Sequence, residues 1–316
     1  MPIRAAAALA SFVLLSAFIM QAPQPTDPFF LPDIGPQLTA TGSTNYDGNR
    51  SFRDTSAKTL RSNQAASAYS SCPVLVMAGQ SNDENEAPTN YTPTNASNLH
   101  NFNPFDGAIY AGLDPLLGAT GLSKSTLGHY GTRLADDIIN SGAASCVVLA
   151  PIAIGGTKIA DWAPGGLAYP RLKNAVNRLN ARGFTTQYVL WGQGESDCAA
   201  GTTQSNYVAS GNALFGDLPS SVAKIFVAEQ SWDVGSVCAQ IQNAQTSLST
   251  ASPAGLINHS ALRPIWAGPN TDSLNNTTAC SGGTCRQSDN EHMNDLGSAA
   301  KASLWQTALH ASGSPF

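Results

Sequence analysis

Four short polar segments hold the residue types that acyl-transfer chemistry needs. The first, Gly79-Gln80-Ser81-Asn82, follows an apolar run. A serine at a sharp turn off a strand end projects its hydroxyl above the sheet edge, which is the logic of a nucleophile elbow. Asp83 stands where the fuller Gly-x-Ser-x-Gly form has its last glycine, so this segment alone also fits a serine capping a turn. The second is Gly155-Gly156-Thr157. Adjacent glycines let a backbone N–H approach a substrate oxygen, as an oxyanion hole requires, or they form a plain turn. The third, Trp191-Gly192-Gln193-Gly194-Glu195-Ser196-Asp197, leaves Gln193 and Glu195 free to project. An amide side chain there can donate to an oxyanion. The fourth is Asp289-Asn290-Glu291-His292. An acid three residues before a histidine can hold its tautomer while the other ring nitrogen faces a serine. The other histidines, His100, His129, His259 and His310, have no acid so placed ahead of a helix.

These segments need a scaffold that brings them together. Short apolar runs at 73–78, 146–154, 187–191, 224–228 and 264–268 read as strands. They alternate with helical patterns at 130–139, 168–182, 203–215, 237–250 and 294–310. In the last helix, Leu296, Ala300, Leu304 and Leu309 lie near one face, and Asn294 is placed to cap it. Nearly all-apolar strands alternating with helices imply a parallel sheet covered on both faces, so the fold class is α/β with a doubly wound parallel sheet. Chemistry in that architecture sits outside the carboxyl ends of the strands, where three of the four segments follow strands and the fourth precedes the last helix. Residues 83–128 read as loop, and Asp83-Glu84-Asn85-Glu86 as a solvated acidic stretch of it.

At these segments the sequence resembles the SGNH hydrolase superfamily, in the branch of sialate O-acetylesterases and acetylxylan esterases (carbohydrate esterase family 6). The matching stretches are Ala78–Asn82, Gly155–Trp162, Trp191–Asp197 and Asp289–His292. The resemblance implies a three-layer, flavodoxin-like fold and a serine esterase that removes acetyl groups from carbohydrate hydroxyls through an acyl-serine. It implies Ser81 as nucleophile, His292 as general base and acid, and Asp289 as its orienting acid. It also implies an oxyanion hole of the Ser81 and Gly156 N–H groups with the Gln193 side chain, Gly155 replacing Gly156 if the register shifts. Gln80, Asn82 and Glu195 are then supporting residues. Trp162 and Trp191 are either sugar-stacking faces or buried packing. The partner is an acetylated glycan or another small ester, with no cofactor and no metal. Two other functions share the fold: a lipase-like or polyester esterase, and a non-catalytic carbohydrate-binding domain.

Composition narrows the setting. In 316 residues there are 16 Lys plus Arg and 21 Asp plus Glu, a net charge of −5, and only 12% of residues are charged. That is half the roughly 25% usual for soluble proteins and offers no basic stripe for nucleic acid. Arg4 precedes an uncharged stretch from Ala5 to Met20, shorter than the about 20 apolar residues of a bilayer span, so residues 1–22 read as a signal peptide. Residues 23–70 read as a Pro/Ser/Thr-rich linker or irregular arm, and 71–316 as the catalytic domain. A secreted or periplasmic monomer, off the membrane once the signal is removed, is expected. Six cysteines behind an export signal read as disulfides. Six cysteines allow 15 pairings, of which the strand map favours Cys72–Cys146, Cys198–Cys238 and Cys280–Cys285.

Overall fold

The structure is a computed structural model, which describes residues 55–62, 66–119, 127–250, 265–276, 280 and 282–311. The expected signal peptide and residues 23–54 of the arm lie outside the described residues. Eight strands form one sheet: β1 (Leu60–Ser62), β2 (Val74–Gly79), β3 (Leu99–Phe102), β4 (Ile109–Ala111), β5 (Val147–Pro151), β6 (Gln187–Gly192), β7 (Val222–Glu229) and β8 (Ile265–Asn270). Their spatial order is β1-β4-β3-β5-β2-β6-β7-β8. The neighbours from β3 to β8 pair in parallel; β4 pairs antiparallel with both β3 and β1. The five strands expected from the apolar runs are all present, in the doubly wound order 2-1-3-4-5, with β2 at the switch point.

Three strands were not expected. In β3, Leu99-His100-Asn101-Phe102 has no apolar run, yet all four residues are buried. Asn101 is tolerated there because its amide bonds Leu117 O and Leu149 O, and its oxygen accepts the Leu117 N–H. Edge strand β1 lies ahead of residue 71, so the sheet takes in the end of the segment read as an arm.

Seven helices cover the sheet among the described residues: α1 (Tyr130–Asn140), α2 (Ile159–Trp162), α3 (Tyr169–Ala181), α4 (Glu195–Ala199), α5 (Gln204–Gly216), α6 (Ala239–Thr250) and α7 (Asp295–Leu309). The period-2 alternation of β2 sorts its side chains into two cores. Val74, Val76 and Ala78 pack with Leu172 and Val176 of α3, Leu214 of α5 and Ile241 of α6. Leu75 and Met77 pack on the other face with Leu134 and Ile138 of α1 and Trp305 and Leu309 of α7. Each such buried aliphatic side chain contributes about 1.5–3 kcal/mol. Asn294 does cap α7, accepting the Gly297 N–H at 2.9 Å. The buried face of α7 differs from the expected one, however. Ser298, Lys301, Ala302, Trp305 and Leu309 face inward, and Leu296 is exposed.

Candidate functional site

The end of β2 shows why the serine segment begins with glycine. Gly79 has φ 147°, and a Cβ there would lie 1.8 Å from Gly192 O of β6. No other residue lets the two strand ends come this close. The Gln80 N–H then donates to Gly192 O, and a single 3-10 turn, Ser81–Asp83, starts at the serine. The structure brings three of the sequence-expected residues into a chain of hydrogen bonds. Ser81 Oγ is 2.9 Å from His292 Nε2, and His292 Nδ1 is 2.7 Å from Asp289 Oδ2. Asp289 Oδ1 also accepts the Glu291 and His292 N–H groups at 2.9 and 3.0 Å, which fixes the carboxylate.

The loop carrying Asp289 and His292, between β8 and α7, has its own support. The Cys280–Cys285 disulfide lies within it, and Leu274, Cys280, Cys285 and Met293 form a small hydrophobic cluster there. The buried Arg286 guanidinium donates to Leu274 O and Glu291 O. Trp232 donates its indole N–H to Asn290 O at 2.9 Å. Asp272 in turn holds the Trp232 segment through the Ser231 and Trp232 N–H groups.

Charge around the imidazole favours its protonated form. Burial pulls the His292 pKa down, but the Asp289 hydrogen bond and the charges of Glu86, Asp289 and Glu291 outweigh it, so the net shift is upward. Burial raises the Asp289 pKa, but its hydrogen bonds from His292 and the two backbone N–H groups outweigh this and hold it below the usual value.

The supporting residues form a buried net behind Ser81. Asn82 Nδ2 donates to Glu195 Oε1 at 2.8 Å and to Glu291 O at 3.3 Å, while its Oδ1 accepts the Met293 N–H at 3.0 Å. It ties the serine turn to the histidine loop. Burial pushes the Glu195 carboxyl up to about 7. Gln80 Oε1 accepts the Gly194 and Ser196 N–H groups.

Two expected roles change. Gln193 is fully buried, and its Nε2 lies 2.6 Å from Asp197 Oδ2, 2.9 Å from Thr157 O and 3.1 Å from Gln80 Oε1. An amide has only two N–H donors. Both are committed here, so Gln193 braces the site from behind and is not a free oxyanion donor. Trp162 has no exposed surface; its N–H donates to Thr157 Oγ1 and its ring packs edge-on against the equally buried Trp191. Neither tryptophan offers a face to a sugar. Of the glycine pair, Gly155 donates to Glu84 Oε1 at 2.6 Å. Gly156 has φ 72°, is exposed, and has open space where a Cβ would sit. Neither the Ser81 nor the Gly156 N–H donates to a backbone acceptor among the described residues.

The acidic stretch after Ser81 is not a solvated loop. Asp83, Glu84, Asn85 and Glu86 are all buried. Glu84 accepts the Gly155 N–H and Asn85 bonds the Leu116 backbone, while Asp83 meets a cation that sequence reasoning missed. Lys301 of α7, buried, places Nζ 3.0 Å from Asp83 Oδ2, 2.8 Å from Asn82 O and 2.9 Å from Gln230 Oε1. Tyr130 O–H and Gln230 Nε2 also donate to Asp83, at 2.7 and 2.9 Å. His129 caps α1 and places Nε2 3.0 Å from Asp83 O. The available signal was the alternative face of the last helix, on which Lys301 lies beside Ala302, Trp305 and Leu309.

Of the expected disulfides, Cys72–Cys146 and Cys280–Cys285 are formed. Cys198 and Cys238 are free thiols in contact through a hydrogen bond. Burial, then the Cys238 contact, pushes the Cys198 thiol up to about 12.

Residues 71–251, more than half the chain, match the family described as "Carbohydrate esterase, sialic acid-specific acetylesterase". The match includes Ser81, Gly156, Gln193 and Glu195 and ends before Asp289 and His292. No curated protein matches the sequence. Among solved structures, a protein from Arabidopsis thaliana is 20% identical with a TM-score of 0.52, over 75% of this chain and 97% of that one. This likeness shows the fold. NanS is 14% identical, with a TM-score of 0.45 over 76% of this chain and 95% of that one. A carbohydrate acetylesterase from Xanthomonas citri is 14% identical, with a TM-score of 0.45 over 75% of this chain and 55% of that one. On the extent of the family match, the chain belongs to the sialic acid-specific acetylesterase family of carbohydrate esterases and is a carboxylic ester hydrolase.

Proposed function

We propose that the protein is an exported serine esterase that removes acetyl groups from carbohydrate hydroxyls through an acyl-serine intermediate. One observation carries the reading: the chain Ser81 Oγ, His292 Nε2 and Nδ1, Asp289 Oδ2, with spacings of 2.9 and 2.7 Å. Ser81 O–H gives its proton to His292 Nε2 as Oγ bonds to the acetyl carbon. The carbonyl electron pair moves to oxygen, which the Ser81 and Gly156 N–H groups receive. The tetrahedral intermediate collapses, the bond to the sugar oxygen breaks, and His292 passes its proton to that oxygen. Water then attacks the acyl-serine with His292 as base, releasing acetate.

Export is supported by the N-terminal segment 1–22 and by two disulfides, which persist in oxidising compartments. N-terminal sequencing of the secreted protein tests this part; a mature chain that keeps residues 1–22 refutes it.

The decisive experiment is acetate release from acetylated xylan, acetylated sialic acids and synthetic esters of rising chain length, with the wild type and Ser81→Ala. Activity on acetyl esters that vanishes in Ser81→Ala is expected. Retained activity in that variant, or preference for long acyl chains over acetate, defeats the assignment.

A further inference from the structure

We propose that Glu84 is a positioning residue of the oxyanion hole, holding the Gly155-Gly156 turn against the nucleophile turn so that the Gly156 N–H meets the developing oxyanion. This rests on the esterase reading above.

Glu84 grips both turns. Its backbone N–H donates to Ser81 O at 2.9 Å, and its Oε1 accepts the Gly155 N–H at 2.6 Å. The Glu84 residue is only 2% exposed and Gly155 is half-buried, so the carboxyl end of the contact is held away from competing water. It also decides which glycine is available. With Gly155 engaged, Gly156, exposed and in the left-handed region, is the member of the pair with its N–H free for a substrate oxygen. The Gln193 amide, committed to Thr157 and Asp197, cannot replace it. The hole is thus built on two backbone donors, one on each turn, and one of them belongs to two consecutive glycines. A glycine pair has more conformations to choose from than any other dipeptide. A fixed partner at the first glycine selects one of them.

The contact needs an acceptor oxygen, not a negative charge. Burial holds the Glu84 carboxyl well above its usual pKa, opposed in part by the Gly155 N–H and the Arg171 charge. A neutral carboxyl still presents a carbonyl oxygen to Gly155. Glutamine presents the same oxygen, and alanine does not.

The test compares wild type, Glu84→Gln and Glu84→Ala on a small acetyl ester. Removing an oxyanion donor outright costs about 10²–10³ in kcat, so a loosened one should cost Glu84→Ala about 10- to 100-fold. KM should stay within about threefold, because the hole acts on the transition state. Glu84→Gln should restore kcat to within about threefold of wild type. A Glu84→Ala enzyme with kcat within twofold of wild type, a loss that falls on KM alone, or equal losses in both variants overturns the proposal. A measurement on the wild type covers the case of a misfolded variant. Amide hydrogen exchange should find Gly155 protected and Gly156 fast; equal, fast exchange at both overturns it. That readout does not depend on activity, so it separates this proposal from failure of the esterase assignment, which Ser81→Ala tests.

Discussion

Replacing Lys301 with methionine should destabilise the domain more than any surface change, because of where the ammonium sits. All three of its N–H donors are used, on Asn82 O, Asp83 Oδ2 and Gln230 Oε1, and it lies 4.3 Å from the centre of the Tyr130 ring. Methionine keeps most of the volume and removes the charge. Asp83, with no exposed surface, is then an uncompensated carboxylate beneath the nucleophile turn. Breaking a buried pair in this way costs about 3–5 kcal/mol. At about 2–4 °C per kcal/mol for a domain of this size, the melting temperature should fall by about 6–20 °C. The double variant Asp83→Asn/Lys301→Met removes the stranded charge and should melt above Lys301→Met alone. Differential scanning calorimetry reads both, and acetate release reports the turn, since Lys301 also anchors the Asn82 carbonyl. A melting temperature within 2 °C of wild type in Lys301→Met, or a double variant less stable than the single, would refute the electrostatic argument.

Asp289→Asn should lower kcat by about 10⁴-fold, as expected when the group that fixes the histidine tautomer is replaced, with the fold intact by circular dichroism. Because the His292 pKa is raised, activity should fall as pH drops through a value above 6.5. Glu195→Gln should leave that limb in place; its disappearance would assign the titration to Glu195 instead. Cys146→Ser opens a disulfide spanning 74 residues and should cost about 4 kcal/mol, read by denaturant unfolding. Cys280→Ser opens one spanning 5 residues, so it should cost less stability, yet it should cost more kcat because the bridge supports the β8–α7 segment from which His292 projects. Alkylation of the denatured, unreduced protein should modify two thiols, Cys198 and Cys238; none modified would mean a third bridge.

The residues that meet at the candidate site were legible because each segment is local and follows or precedes an element visible in the hydropathy pattern. Ser81 closes an apolar run, and Asp289 and His292 are three residues apart. What was hidden depends on distant partners. Asp83 and Lys301 are 218 residues apart, and without the lysine the acidic stretch reads as solvated. Strand β3 was invisible because its Asn101 is satisfied by Leu117 and Leu149, from other segments. The Gln193 role was misassigned for a different reason. Its backbone lies where expected, but spacing along a chain does not determine which way an amide turns, and Thr157 and Asp197 turn this one inward.

Ser81 and His292 are 211 residues apart, and the turn that starts at Ser81 is pinned by Lys301 of α7. On a growing chain, Ser81 is therefore made long before the groups it bonds to at the site. The sheet strands up to β8 can be synthesised while no functional site exists. Only with the segment after β8 in place does His292 Nε2 reach Ser81 Oγ and Lys301 of α7 reach the Asn82 carbonyl. On the esterase reading proposed above, a chain that stops before residue 289 carries Ser81 without Asp289 and His292 and should be inert.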